Sequence, residues 1–196
     1  MDKAHAILIR RIRFSETSLI CVWLTRTHSK LKTSARGALR PGGAFAGKLD
    51  LFYEAEIAFA RSRKNDVHTL REVSLLHPFD GEGLHYANLA TASYFAGLVD
   101  RVTEPAGSAE EIFDLLLRAI GYLRTERPVP RAIPHFEAEL CRALGIDDKD
   151  PLHALAGQCG RLPAGRERAL KTCAPLAKPA APDKITRCET ILPRET

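Results

Sequence analysis

Five short segments of alternating or branched apolar residues fall within the first 77 positions, with no helical apolar period between them. That succession confines the N-terminal part of the chain to a small all-β unit. Residues 4–13, AHAILIRRIR, read as an opening strand ending in an arginine cluster. Residues 18–25, SLICVWLT, have the branched and aromatic content of a buried strand, and FSET between the two makes a turn. Lys30, Lys32, Ser34 and Arg36 follow two apart, as on one polar face of a third strand. In LDLFYEAEIAF, residues 49–59, Leu49, Leu51, Tyr53, Ala55, Ile57 and Phe59 share one face, while Asp50, Glu54 and Glu56 share the other. Residues 67–76, VHTLREVSLL, are apolar on parts of both faces, which leaves the register of the fifth strand open. Closing five strands into a barrel removes the edges that an open sheet would have to protect. The expected fold is mixed β and α, an N-terminal OB-type five-stranded barrel followed by a helical domain; an SH3-like barrel satisfies the same periodicity.

The helical expectation rests on a change of period near residue 80. Leu84, Ala87, Ala90, Tyr94 and Leu98 are spaced as on a helix spanning 83–103, and Pro105 and Gly107 interrupt it. Ser108 followed by Glu111 has capping-box spacing, ahead of a stripe through Ile112, Leu115, Leu116, Ala119, Ile120 and Leu123. Another helix carries Phe136, Leu140, Ala143 and Leu144 and stops at Gly145; Asp150 and Pro151 then suit the cap and first position of a short helix to about Ala156. From Gly157 the chain is basic and rich in proline, and little regular structure is expected there. The division that follows is 1–80 for the barrel, 81–158 for the helical domain and 159–196 for a basic tail.

Charge separates along the same lines. Residues 1–80 hold 14 Lys or Arg against 8 acids, residues 81–150 hold 7 against 12, and residues 151–196 hold 8 against 4. Basic ends around an acidic middle point to surfaces with different tasks. The stretch between the third and fourth strands concentrates the basic signal: Gly37, Pro41, Gly42, Gly43 and Gly47 break the pattern around Arg40 and Lys48, with no acid before Asp50. Lys30, Lys32, Arg36, Arg40 and Lys48 there, and Arg61, Arg63 and Lys64 in the next connection, are cations able to meet phosphates without reading base sequence. Arg10 and Arg11 extend the set, although with Arg13 they alternate across a strand and cannot all face one way. Phe45 within the basic loop is either a stacking platform for a base or an apolar anchor on the barrel.

Catalytic motifs do not assemble. No phosphate-binding Gly-Lys-Ser/Thr run, nucleophile elbow, HExxH helix or DxD metal run occurs, and the seven histidines are dispersed. The Asp147, Asp148, Asp150 run fits a solvated loop or cap. No catalytic residue and no cofactor is expected. The five cysteines are scattered and odd in number, unlike a secreted disulfide framework, and neither a transmembrane-length apolar run nor an apolar leader is present. A cytoplasmic protein with no membrane partner is expected. Cys159, Cys173 and Cys188 stand singly, without the pairing that holds a tetrahedral ion.

Residues 4–52, through the opening strand, the serine-containing turn, the threonine-arginine turn and the ARGA segment, resemble the RecO family of bacterial recombination mediators of the RecFOR pathway. EIFDLLLRAIGYL at 111–123 and HFEAELCRALGI at 135–146 continue the resemblance in order. It implies an OB-fold and a helical domain, sometimes with a zinc site, binding to single- and double-stranded DNA, and annealing of complementary strands. It also implies cooperation with RecR in loading RecA onto DNA coated by single-strand-binding protein, and a nucleoid-associated location. The C-terminal tail of that coating protein would meet the helical region, where Leu115, Leu116, Ile120, Phe136 and Leu140 are groove or core positions. Arg118, Arg124, Arg131 or Arg142 would receive its carboxylate. Two departures stand out: Ser29 replaces the usual Gly before Lys30, and AGQCG puts Ala156 where a zinc-binding member has the first cysteine of CxxCG. A degenerate, metal-free region is therefore expected. The competing expectations are an RNA-binding translation or ribosome-associated factor on the same barrel, a metal-dependent hydrolase with ligands from distant segments, and an adaptor recruiting partners through its acidic middle.

Overall fold

The computed structural model describes residues 1–81, 83–105 and 109–173. Strands β1 (Asp2–Arg13), β2 (Leu19–Thr25), β3 (Ser29–Ala35), β4 (Glu54–Ala60) and β5 (Val67–His77) precede helices α1 (Tyr86–Val102), α2 (Glu110–Thr125), α3 (Ala132–Ala143), α4 (Pro151–Cys159) and α5 (Arg166–Thr172). The strands close in the order β1-β2-β3-β5-β4, the barrel of an OB-type fold. All neighbours are antiparallel except β3 and β5, which run parallel where Lys32–Ser34 face Val67–Thr69.

The near-continuous apolar runs of β1 and β2 are explained by burial on both faces. Ala4, Ala6, Leu8, Leu19, Cys21 and Trp23 fill the barrel, while Ile7, Ile9, Val22 and Leu24 join the core shared with the helices. Inside the barrel the Trp23 indole donates to Thr33 Oγ1 at 2.9 Å, satisfying a fully buried N–H. A bulge at Ile9 breaks the β1–β2 register between Leu8 and Arg10 and re-aims the arginines beyond it. Ser29 sits at φ 54, where an L residue is strained, and its hydroxyl donates to Glu104 O at 2.6 Å beyond α1. The serine at this turn thus binds the barrel to the end of a helix, a bond that glycine has no side chain to make.

Two expectations about the β region need correction. The strand expected over 49–59 begins at Glu54. Phe52 adopts φ 67, and two backbone bonds, Leu8 N–H to Tyr53 O at 3.0 Å and Phe52 N–H to Leu8 O at 2.7 Å, tie the approach to β1 without a regular ladder. Glu54, assigned to the polar face, is buried because partners from three elements meet it: His5 of β1 and His77 of β5 lie 2.8 and 2.9 Å from its oxygens and Arg124 of α2 3.5 Å away. Burial pushes its carboxyl upward, and the hydrogen bonds from His5 and His77 outweigh this, holding it below the ordinary value. The basic stretch after β3 is a run of hydrogen-bonded turns. Successive turns link Gly37 O, Arg40 O, Gly43 O and Phe45 O to the N–H groups three residues on, and Phe45 and Leu49 anchor it in the barrel core. A Cβ on Gly43 would lie 3.1 Å from two of those carbonyl oxygens, so glycine permits the turns to stack.

Among the helices, α1 is central, packing on α2, α4, α5 and β1. Its small residues allow close approach: a Cβ on Gly97 would meet Pro163 at 3.2 Å. The expected α4 cap is present, with the Asp150 carboxylate accepting from Leu152 N–H and His153 N–H at 3.1 and 3.2 Å. The Ser108 capping box falls outside the described residues. The expectation of little regular structure from Gly157 onward is corrected for 157–173, where α4 continues to Cys159 and α5 forms. Glu137 of α3 explains why α5 docks: it is 2% exposed and accepts from Arg166 at 2.6 and 3.0 Å and from Tyr94 at 2.7 Å. Burial, with the bond to Glu137, raises the Tyr94 phenol far above its ordinary value.

A depressed carboxylate stabilises the fold above its unfolded pKa and loses that contribution as pH falls through the folded one. Glu54→Gln should therefore lower unfolding free energy by about 2 kcal/mol near neutral pH. Its deficit against the parent protein should shrink as pH drops below 4.5, the ordinary value for this group. Denaturant titrations at about pH 7 and about pH 3 check it; an equal deficit at both would contradict the assignment.

Candidate nucleic-acid interface

A groove of about 690 Å³ opens on the barrel where three connections converge. Phe14, Ser15, Thr17 and Ser18 form one lip, Arg36, Gly37 and Arg40 a second, and Ser62 and Asn65 a third; Ile20, Ser34, Val67 and Thr69 make the floor. Each lip is held by local bonds. Phe14 N–H and Ser15 N–H both reach Ser18 O, closing the β1–β2 turn, and Leu39 N–H binds Thr17 O at 3.0 Å, fastening the second lip to the first. In the β4–β5 connection Ser62 N–H donates to His68 Nδ1 at 3.2 Å, while Ser62 Oγ accepts from Lys64 and Asn65 N–H. Gly37, at φ 71, supplies the left-handed bend that ends β3 and brings Arg40 back toward the groove.

The ten basic residues expected to bind nucleic acid divide into two groups. Arg10 pairs with Asp100 at 3.2 Å, and Lys30, with a side chain only 14% exposed, reaches Asp100 O at 2.5 Å. Both thereby fix the barrel to α1. Arg11 holds Leu49 O at 2.7 Å and Asp50 at 3.0 Å, Lys32 holds Asp66 at 2.6 Å, and Arg61 pairs with Asp2. The hydrogen bonds from Arg61 and Lys32 hold the Asp2 and Asp66 carboxyls below their ordinary values. Arg36, Arg40, Lys48, Arg63 and Lys64 have no ion pair among the described residues. Arg36 and Arg40 line the groove, and Arg63 and Lys64 belong to the connection that forms its third lip. Phe45, 8% exposed, is the apolar anchor and not a platform. Phe14, which sequence patterning did not single out, is 69% exposed at the groove lip. An aromatic residue inside the polar FSET turn was the available signal.

A second groove, of about 720 Å³, lies between α2 and α3 and is mainly apolar. Leu115 and Phe136 contribute to its walls, and Phe136 stacks on Phe95 at a ring separation of 3.9 Å. Leu116, Ile120 and Leu140 are fully buried and serve as core. Arg118 and Arg131 flank it, with Tyr122 and His135 also on the lining. Arg124 instead faces Glu54, and Arg142 pairs with Glu139, whose carboxyl that bond holds below its ordinary value. Of the four arginines that sequence left equivalent, Arg118 and Arg131 lie on this groove, whose lining also includes Glu139.

The family models for the N-terminal and C-terminal parts of recombination protein O match residues 1–79 and 84–147. Similar proteins include the DNA repair protein RecO of Rhodopirellula baltica, 31% identical over 156 residues, which are 80% of this chain and 57% of that one. The DNA repair protein RecO of an Anaeromyxobacter species is 30% identical over 190 residues, 92% of this chain and 73% of that one. That of Salinibacter ruber is 26% identical over 164 residues, covering 82% and 63%. The chain belongs to the recombination protein O family.

Both grooves lie within segments that the two family models match. The stretch 148–173, with α4 and α5, lies beyond them. There Cys159 and Cys173 are free thiols packed toward the helical core, and burial raises both. Cys188 is outside the described residues. Among those described, no three His, Cys, Asp or Glu residues are placed to hold a metal ion, and no helix is long and apolar enough to cross a membrane.

The division of cations is measurable. Lys30→Met should cost about 1.5 kcal/mol of stability through loss of the bond to Asp100 O, whereas Arg36→Ala should change it by no more than about 0.5 kcal/mol. Parallel denaturant titrations check the ordering, and a larger loss for Arg36→Ala would reverse the assignment.

Proposed function

We propose that this chain acts as a non-enzymatic recombination mediator. It binds single- and double-stranded DNA on the barrel, anneals complementary strands, and receives the C-terminal tail of single-strand-binding protein on the helices. With RecR it helps load RecA onto the coated DNA. One observation carries the proposal: two separate grooves, one on the barrel and one on the helices, each lined by two arginines that have no ion pair among the described residues. The barrel groove combines Arg36 and Arg40 with a hydroxyl-rich lining, which suits a phosphate backbone. The helical groove combines Arg118 and Arg131 with aromatic and aliphatic walls, which suits an acidic peptide ending in apolar residues. RecR and RecA as partners rest on family membership alone.

In this mechanism the barrel cations lower the phosphate repulsion between two strands, and base pairing supplies the driving force for annealing. Docking on the tail concentrates the mediator at coated DNA, since the second contact forms at the effective concentration set by the first. No nucleotide hydrolysis is required.

Arg36→Glu combined with Arg40→Glu should weaken binding to single strands and duplex alike and leave the melting temperature unchanged. The slope of log affinity against log salt should fall by about 1.4 for single strands, the share of two phosphate contacts. Unaltered affinity across a salt titration would remove DNA from this groove. The helical half is tested by annealing strands precoated with single-strand-binding protein, without nucleotide. Acceleration should vanish when the coating protein lacks its tail, or when Arg118 and Arg131 are both changed to Glu, while naked-strand annealing continues. Acceleration that ignores both changes would rule out the docking role.

A further inference from the structure

The barrel groove has one aromatic ring on its lining, and that ring is the most exposed one in the barrel half of the chain. Trp23, Phe45, Phe52, Tyr53, Phe59 and Phe79 are all buried. Phe14 is 69% exposed, beyond the last residue of β1, where neither the barrel core nor the helices cover it. A lone exposed apolar side chain is ordinary on a protein surface. Here, however, it stands on a turn closed by Phe14 N–H to Ser18 O at 3.0 Å and Ser18 N–H to Ser15 Oγ at 3.2 Å. The same turn is bonded through Thr17 O to Leu39 N–H, in the connection that carries Arg36 and Arg40. An exposed ring and two guanidiniums without an ion pair among the described residues therefore border one groove, on connections whose backbones are bonded to each other.

We propose that Phe14 is the residue by which this groove distinguishes single strands from duplex: it stacks on one unpaired base while Arg36 and Arg40 hold the flanking phosphates. The inference rests on the barrel groove being the nucleic-acid site and adds that its preferred ligand is an unstacked single strand. The physical basis is the difference in what the two ligands expose. Phosphates are available on both, so the arginines serve both; a base face is available only where a base has left its stack, so the ring serves the single strand alone. With one platform on the lining, a bound strand has one base engaged and the others free to find complements, as annealing demands. Polar side chains on the lining, such as Ser34 and Thr69, offer hydrogen bonds without imposing a second stacking position.

The test compares the full chain with Phe14→Ala and Phe14→Trp, using a fluorescent single-stranded oligothymidine and a blunt duplex as separate probes. Phe14→Ala should lose about five- to 150-fold in single-strand affinity, the usual range for one base on an aromatic ring. Its duplex affinity should stay within about twofold, and its salt slope should be unchanged because no phosphate contact is removed. Phe14→Trp should retain single-strand affinity. At protein concentrations that saturate the strand for each variant, 2-aminopurine fluorescence should change with the parent protein and not with Phe14→Ala, while the retained duplex affinity shows that the variant is folded. If Phe14→Ala leaves single-strand binding intact while the Arg36 and Arg40 double reversal still weakens it, the groove stands and the stacking assignment is overturned. If neither variant affects DNA, the groove is not the nucleic-acid site and the inference falls with it. Loss of binding to a protein partner, with both DNA affinities preserved, would make Phe14 a protein-docking residue and equally overturn the proposal.

Discussion

The burial of β1 and β2 on both faces is the constraint from which the rest of the architecture follows. One face, with Ala6, Leu8, Cys21 and Trp23, closes the barrel; the other, with Ile7, Ile9, Val22 and Leu24, is the floor on which the helices sit. An apolar strand pair of this kind has no solvent-compatible side, so the barrel and the helical layer depend on each other for stability. The polar contacts at the seam reinforce the same arrangement. Lys30 and Arg10 converge on Asp100, Ser29 binds Glu104 O, and Glu54 collects His5, His77 and Arg124. Buried or half-buried charges are tolerated there because each finds an opposite charge or a hydrogen-bond partner.

That seam also determines which cations remain for a ligand. Net charge over residues 1–80 is shared by residues with very different duties, and a count of Lys and Arg cannot separate them. Lys30 looks in sequence like the first member of a basic face, with Lys32, Ser34 and Arg36. In three dimensions Lys30 is a tether to α1, Lys32 is tied to Asp66, and of these three cations only Arg36 reaches the groove without an acidic partner among the described residues. The difference arises because Asp66 and Asp100 lie 34 and 70 residues away in the chain from the lysines they hold. Charge proximity at such separation is a product of the fold.

The same distinction separates what was legible in the sequence from what was not. Periodicity carries the barrel, the helices and the α4 cap because each depends on neighbours a few residues apart: alternation along β3, the Leu115 to Leu123 stripe, and Asp150 ahead of Pro151. Errors gather where a distant contact overrides a local pattern. Glu54 looks polar by alternation and is buried because His5, His77 and Arg124 arrive from three other elements. Helix α5 looks like part of a proline-rich tail and is ordered because Arg166 reaches Glu137, 29 residues earlier. Of the two aromatic residues near the basic loops, Phe45 lies in the middle of a cationic stretch and yet is drawn inward by the stacked turns. Phe14, beside acidic Glu16, is left outside because β1 has already ended.

The two grooves differ in how closely they depend on the seam. The helical groove is walled by Leu115 and Phe136, each buried in the core that also takes Ile7 and Val22 from the barrel, so its shape is coupled to the packing of β1 and β2. The barrel groove is built from three connections and the β2, β3 and β5 surface between them, and its lining residues are absent from that shared core. Loss of an interior seam contact should consequently reach the apolar groove first through displaced helices, whereas the cationic groove changes little while the barrel stays closed. Under the proposed function, in which one groove takes a nucleic-acid strand and the other a peptide, this separation is an advantage. Substitution of a surface arginine on either groove alters one contact without removing the support of the other, and the two can be tuned independently around one common core.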